Sequence, residues 1–235
     1  MRLISLIFLA ALAACSTGKV IFNQGKLMDK LNGPREVNDE SIKRAMDAKP
    51  QLTPGFRLAI HMPDPNEQWN GQPWSAADRE RVMQMVRAAC NPRFCKDTVE
   101  ITAIEGNGDK LFVRQAAAER GAQAVLWIRG IQDVQIRDNG RAWTNLLILP
   151  AFFIESEDVY SYFLASAQML DVGNGYMYVD VQTVGRAKTK QTPAENDSKL
   201  ILKQARSGAL DQLIPALEKT FVEMSLSESK KTIRR

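Results

Sequence analysis

Few side chains in this 235-residue chain are of a type that makes or breaks bonds; it holds three cysteines and one histidine, His61. Cys90 and Cys95 bracket Asn91-Pro92-Arg93-Phe94. An Asn-Pro step turns the chain, so the two sulfurs can meet as a disulfide, whose short ring would contribute about 2 kcal/mol. Zinc would need four ligands, which one histidine and two cysteines do not supply, so no metal and no other cofactor is expected. His61 stands near the end of a short strand pattern with no nucleophile at a recognisable spacing. It reads as a satisfied histidine at a strand edge, although Ser-His-Asp chemistry could use only this residue. Glu155 with Glu157, or with Asp158, could do acid–base work, but acidic pairs in loops are ordinarily just solvated. No catalytic residue is assigned, and the chain is not expected to be an enzyme.

The third cysteine has a different setting. Residues 3 to 14 hold one polar side chain, Ser5; Arg2 precedes them, and Leu12-Ala13-Ala14-Cys15 closes the run. A basic start, a short apolar centre and small residues before the cut are the layout of a secretory signal. A membrane-spanning helix needs about 20 apolar residues, and Ser16, Thr17, Gly18 and Lys19 stop this run short. The aliphatic-small-small-Cys pattern resembles the bacterial lipobox. That resemblance implies diacylglyceryl transfer to Cys15, cleavage before it and acylation of the new amino terminus; the alternative is an ordinary cleaved signal followed by a free cysteine. Two or more acyl chains give a stable bilayer anchor. Ser16 rather than Asp after the cysteine implies, by the sorting rule of enteric lipoproteins, the periplasmic face of the outer membrane.

Removing residues 1–14 leaves about 220 residues, enough for one sizeable domain with its own core. The chain carries 31 Lys and Arg against 27 Asp and Glu. The excess is small and spread along the chain, which gives no support to a nucleic-acid partner. The two remaining cysteines enter an oxidising compartment, where a disulfide persists.

Several elements can be read in order. Residues 15–55 mix charges, Gly and Pro with scattered apolar positions and read as a lipidated tether, with a turn or two of helix after Asn38. The alternative for the set Val20, Ile21, Phe22, Leu27, Met28 and Leu31 is packing on the domain or grazing the lipid. The domain proper is expected over 56–224. Phe56, Leu58 and Ile60 mark a strand. A Pro-, Asn- and Gly-rich loop then displays Trp69 and Trp74, which would either meet a partner or fold back over a core edge. Ser75 and Asp78 form a capping-box pattern ahead of a helix carrying Val82, Met85, Val86 and Ala89. Val99–Ile104 reads as a strand. Gly106-Asn107-Gly108 is a turn that lacks the phosphate-binding fingerprint. Asp109 is expected to cap a helix carrying Leu111, Phe112, Ala116 and Arg120, and Gly121 suits the left-handed residue just past its end. Ala124–Ile128 is a run expected of a strand covered on both faces, continuing past Gly130 to Ile136 and a turn at Asp138-Asn139-Gly140.

Leu146–Ile154 is the most apolar patch of the mature chain. It is read as a connection packed on the sheet, with membrane contact or an interface as alternatives, and Phe152 and Phe153 make it a candidate partner surface. Two alternating runs, 159–170 and 177–182, joined by a Gly-Asn-Gly turn, give an antiparallel hairpin whose Tyr-rich face is either exposed or meets a helix. Lys188–Ser198 reads as a loop. A helix then runs to about Met224, with a kink or break expected at Pro215, and 225–235 form a basic, frayed tail. The fold class is α+β: a single mixed sheet with helices packed on it, a long antiparallel hairpin and a C-terminal helix.

Ala165-Ser166-Ala167-Gln168-Met169-Leu170-Asp171-Val172-Gly173-Asn174-Gly175-Tyr176 and Arg120-Gly121-Ala122-Gln123-Ala124-Val125-Leu126 carry a resemblance. With the order of elements behind the lipobox, they resemble a group of envelope lipoproteins. The group includes the curli-secretion lipoprotein, the lipoprotein activators of penicillin-binding proteins, the amino-terminal domain of the Tol-Pal translocation protein, and the rhombotail lipoproteins, which Leu146–Ile154 resembles in particular. The resemblance covers about 56–224 and implies protein binding rather than catalysis, with no single functional residue carried over. The expected function is therefore a membrane-anchored, non-enzymatic periplasmic lipoprotein. It would bind the bilayer through Cys15, and an envelope protein or its own copies through its surface. A secretion-channel subunit is the first alternative and a periplasmic hydrolase the second.

Overall fold

The computed structural model describes residues 22–33, 37–63, 74–90, 94–101, 109–139, 154–192 and 198–233. Five strands, β1 (Phe56–His61), β2 (Cys95–Ile101), β3 (Ala124–Asp138), β4 (Glu157–Asp171) and β5 (Met177–Gln191), form one mixed sheet in the order β2-β1-β3-β4-β5. β1 lies parallel to β2 and β3, while β3–β4 and β4–β5 are antiparallel. Among the described residues, five helices accompany them: α1 (Gln24–Asn32), α2 (Asp39–Asp47), α3 (Ala76–Ala89), α4 (Lys110–Glu119) and α5 (Ser198–Ile233). The expected α+β class, with its mixed sheet, long hairpin and C-terminal helix, is what the chain forms.

Strand alternation divides the core between the two faces of the sheet. Leu58, Ile60, Leu126, Ile128, Phe163 and Met169 pack with Val82 and Val86 of α3 and Leu210, Leu213 and Leu217 of α5. The intervening Ala59, Val125, Trp127 and Leu170 pack with Val113, Ala116 and Ala117 of α4. Farther along that second face, Leu164 meets Leu27 and Leu31 of α1. β4 is accordingly buried on both sides along most of its length, and its Tyr162 face does meet a helix.

Most local signals act where expected, although Asp109 stands at the N-cap of α4 without a side-chain cap bond. At the start of α3 the Ser75 amide donates to Asp78 Oδ2 (2.9 Å) and the Asp78 amide to Ser75 Oγ (3.2 Å). Between β4 and β5, Asp171 Oδ1 accepts the amides of Gly173 and Asn174, and Gly175 takes the positive φ of 75° that closes the turn. Gly121 has a φ of 69° just beyond α4.

Other expectations are corrected. The stretch 15–55 is not all tether, because α1 docks on the sheet through Leu27 and Leu31 and Phe22 stacks on Tyr162. β2 begins at Cys95, four residues earlier than the alternation suggests, because Phe56 of β1 pairs with Cys95. β5 runs to Gln191, well into the expected loop, since Lys188 is held across the ladder by Asp158. Helical backbone continues through Pro215 and on to Ile233, so the tail from Ser225 is not a frayed end. Leu213 and Leu217, fully buried on either side of Pro215, hold that segment against the sheet. The 102–108 and 140–153 connections, with the Gly106–Gly108 turn and most of the Leu146–Ile154 patch, lie outside the described residues.

Candidate functional site

Each residue of possible chemistry has a definite place or lies outside the described residues. Cys15, Trp69, Phe152 and Phe153 belong to the latter group. Cys90, at the C-cap of α3, and Cys95, the first residue of β2, are joined as a disulfide with their Cα atoms 5.1 Å apart. Trp74 does not display itself to a partner: it is only 4% exposed, and its ring meets Phe163 edge-on at 5.1 Å. Gly130 makes room for that contact, since a Cβ there would overlap both rings. The core-edge alternative is therefore the right one for Trp74.

His61 is completely buried on the α4 face, with Nδ1 3.1 Å from the Ile101 carbonyl and no partner for Nε2 among the described residues. Burial pushes its pKa below the ordinary imidazole value, and the cations Arg79 and Arg120 act in the same direction. The ring is thus enclosed, and its burial favours the neutral form. Of the acidic candidates, Glu155 is exposed just ahead of β4, and the other two have structural partners. Glu157 accepts from Gln191 Nε2 (2.9 Å), while Asp158 accepts from Lys188 Nζ (2.8 Å). As neighbours on one strand, Glu157 and Asp158 point to opposite faces. The Lys188 hydrogen bond holds the Asp158 carboxyl below its usual range. Among the described residues, no group of three His, Cys, Asp or Glu is placed to hold a metal ion.

Three features escape local sequence reasoning. The first is Arg129, almost fully buried in β3, which donates to the Leu31 carbonyl (3.0 Å) and to Asn32 Oδ1 (2.9 Å), and whose guanidinium lies 3.9 Å from the Trp127 ring centroid. A cation at the last carbonyls of a helix satisfies groups that have no intrahelical donor and complements the helix dipole. Arg129 thus fastens the C-terminus of α1 to the sheet. A lone arginine inside the apolar run 124–131 was the available signal.

The second is a bare amphipathic helix. Asn38 and Ser41 cap α2 reciprocally, with Ser41 N donating to Asn38 Oδ1 at 2.8 Å. Yet α2 buries no residue: Val37, Ile42 and Met46 remain 72%, 49% and 78% exposed. Helical spacing places Ile42 and Met46 on one side, and Lys43 and Arg44 lie between them in sequence.

The third is the part of the hairpin that extends past β1. There β3, β4 and β5 set three rows side by side: Asp133–Tyr162–Arg186, Gln135–Tyr160–Lys188 and Arg137–Asp158–Lys190. Phe22 stacks on Tyr162 at 4.5 Å, the Arg186 guanidinium lies 5.5 Å from the Phe22 ring centre, and Lys188 Nζ lies 4.7 Å from the Tyr160 ring centre. The reverse side of these strands is covered by α5, whose Ala205 approaches Gly185 closely.

No protein-family model and no curated protein matches the chain. Among solved structures it is similar to bacterial lipoproteins. A minor lipoprotein from Acinetobacter baumannii is 9% identical over 73% of this chain and 93% of that one, with a TM-score of 0.35. Uncharacterized lipoprotein B from Nitrosomonas europaea is 10% identical over 77% and 96%, with a TM-score of 0.36. The C-terminal domain of LpoB from Salmonella enterica is 16% identical over 72% and 100%, with a TM-score of 0.26.

Proposed function

We propose that this chain is a lipid-anchored, non-enzymatic domain of the bacterial cell envelope, held at the periplasmic face of the outer membrane through acylated Cys15, that binds an envelope protein. The observation that carries the partner reading is α2: a well-capped helix whose apolar residues Ile42 and Met46, with Val37 just ahead of its cap, are covered by nothing in the described chain. Exposed contiguous apolar surface of this kind marks an interaction site, and amphipathic helices commonly enter apolar grooves on partners. The anchor reading draws on the Leu12-Ala13-Ala14-Cys15 pattern. The non-enzymatic reading draws on the enclosure of His61 and the structural ties of Glu157 and Asp158.

A photoreactive residue at Ile42, introduced in intact cells, is the direct test. One discrete crosslinked species is expected from position 42, and none from position 80 on the exposed side of α3. Equal labelling from both positions, or none from position 42, would overturn the partner reading. The same probe at Trp69 and Phe153 examines the other two candidate partner surfaces. Mass spectrometry of the mature chain reads the acylation of Cys15 independently.

A further inference from the structure

We infer that the outer face of the β3–β4–β5 extension lies against the membrane surface and binds the headgroups of anionic phospholipids. The inference deepens the anchored reading and rests on it.

Two observations converge on this face. Cys15 precedes Phe22 by seven residues, a stretch that spans at most about 25 Å when fully extended. Phe22 is not a loose end of that stretch, because its ring is stacked on Tyr162 in the middle of the hairpin and α1 follows it directly onto the sheet. An acyl group on Cys15 therefore keeps this region of the hairpin within roughly 25 Å of the lipid, whatever course residues 15–21 take.

The chemistry of the face fits such a neighbour. Arg137, Arg186, Lys188 and Lys190 share it with the carboxylates Asp133 and Asp158. Lys188 is engaged by Asp158, but among the described residues no carboxylate pairs with Arg137, Arg186 or Lys190. Arg186, Lys188 and Lys190 are exposed, with Tyr160 half-buried beside them. Cations attract an anionic leaflet, and tyrosines with one apolar and one polar end favour the headgroup level. Lys26 and Lys30, exposed on α1 and offset in part by Asp29, leave a net positive charge on the same side of the sheet. Catalytic or protein-recognition chemistry does not require cations alternating along an otherwise solvent-facing strand at the anchored end. A negatively charged lipid surface does favour them.

The test uses the full acylated chain reconstituted into vesicles of phosphatidylglycerol with phosphatidylethanolamine, and separately into phosphatidylcholine. With Cys15 lipidated and Cys90 bonded to Cys95, a Gln135→Cys substitution supplies the single free thiol for a spin label, and Glu80→Cys on the opposite face is its control. Flotation reads the anchor, and exposure of the label to a water-soluble relaxation reagent reads the face, so the two readings fail separately. In phosphatidylglycerol vesicles the label at 135 should become several-fold less accessible than the label at 80, with no such difference in phosphatidylcholine. Protein that floats while both labels stay equally accessible in both lipids overturns the inference. Arg137→Gln and Arg186→Gln should each remove about a fivefold bias toward the anionic surface, while Arg→Lys at both positions should keep it. A double Gln variant that retains the protection would equally overturn it.

Discussion

β5 packs closely on α5 where Gly185 meets the helix backbone, and the crossing makes a prediction of opposite sign at two glycines. A Cβ added at Gly185 would overlap the Ala205 carbonyl oxygen and the Ala209 amide. These are backbone atoms, so no change of rotamer relieves the overlap; either the helix or the strand must move. Overpacking of a core costs about 1–3 kcal/mol and occasionally more, and a clash with backbone on both sides belongs at the upper end, about 3 kcal/mol. Gly208 faces the same crossing from the helix, but its added Cβ would have the Gly185 Cα at 3.8 Å as its nearest neighbour, an ordinary contact. There alanine should recover up to about 1 kcal/mol of helix propensity. For a domain of this size 1 kcal/mol shifts Tm by roughly 2–4 °C. Gly185→Ala should therefore lower Tm by about 6–12 °C and Gly208→Ala raise it by up to about 4 °C. In urea, with m about 3 kcal/mol/M, the midpoint of Gly185→Ala should fall by about 1 M at unchanged m. A Gly185→Ala protein as stable as the parent, or a Gly208→Ala protein damaged to the same degree, would show that the two elements do not meet in this way.

Two further outcomes can be checked by unfolding experiments. His61 is buried neutral with a lowered pKa, so the unfolded chain binds its proton at a higher pH than the folded one. Stability is then full above about pH 6.5, the unfolded value, and declines as pH falls toward the folded value. The decline proceeds at up to about 1.4 kcal/mol per pH unit, and a His61→Gln variant should lack that component between pH 7.5 and 5. Reduction of the Cys90–Cys95 bond should cost about 2 kcal/mol without loss of the fold, read as a lower urea midpoint in dithiothreitol. A Cys90→Ser/Cys95→Ser variant should match the reduced protein and not respond to the reagent.

Much of the fold was legible because its determinants are local. A capping box announces α3 by satisfying amides within one turn, and period-two alternation announces β4 and the start of β5. Asp171 and Gly175 close their hairpin with turn bonds to residues no more than five positions away. The end of β5 was not legible, because Lys188, Thr189 and Lys190 read as loop residues until Asp158 and Tyr160 are placed opposite them. Trp74 was ambiguous for a similar reason: only the gap left by Gly130 and the ring of Phe163 decide that it turns inward.

What the amino-acid order determined by itself is the signal-like run ending at Cys15, the scarcity of catalytic side chains, and the class of fold. All of these follow from residue type and short-range periodicity. Only the tertiary structure decided that α1 is docked, because its fastening arginine lies 97 positions from the Asn32 it binds. It likewise decided that α2 is left bare and that Arg137, Asp158 and Lys190 stand in one row. Those facts depend on which distant segments share a sheet face, and the hydrophobic effect and strand pairing settle that only when the whole chain collapses.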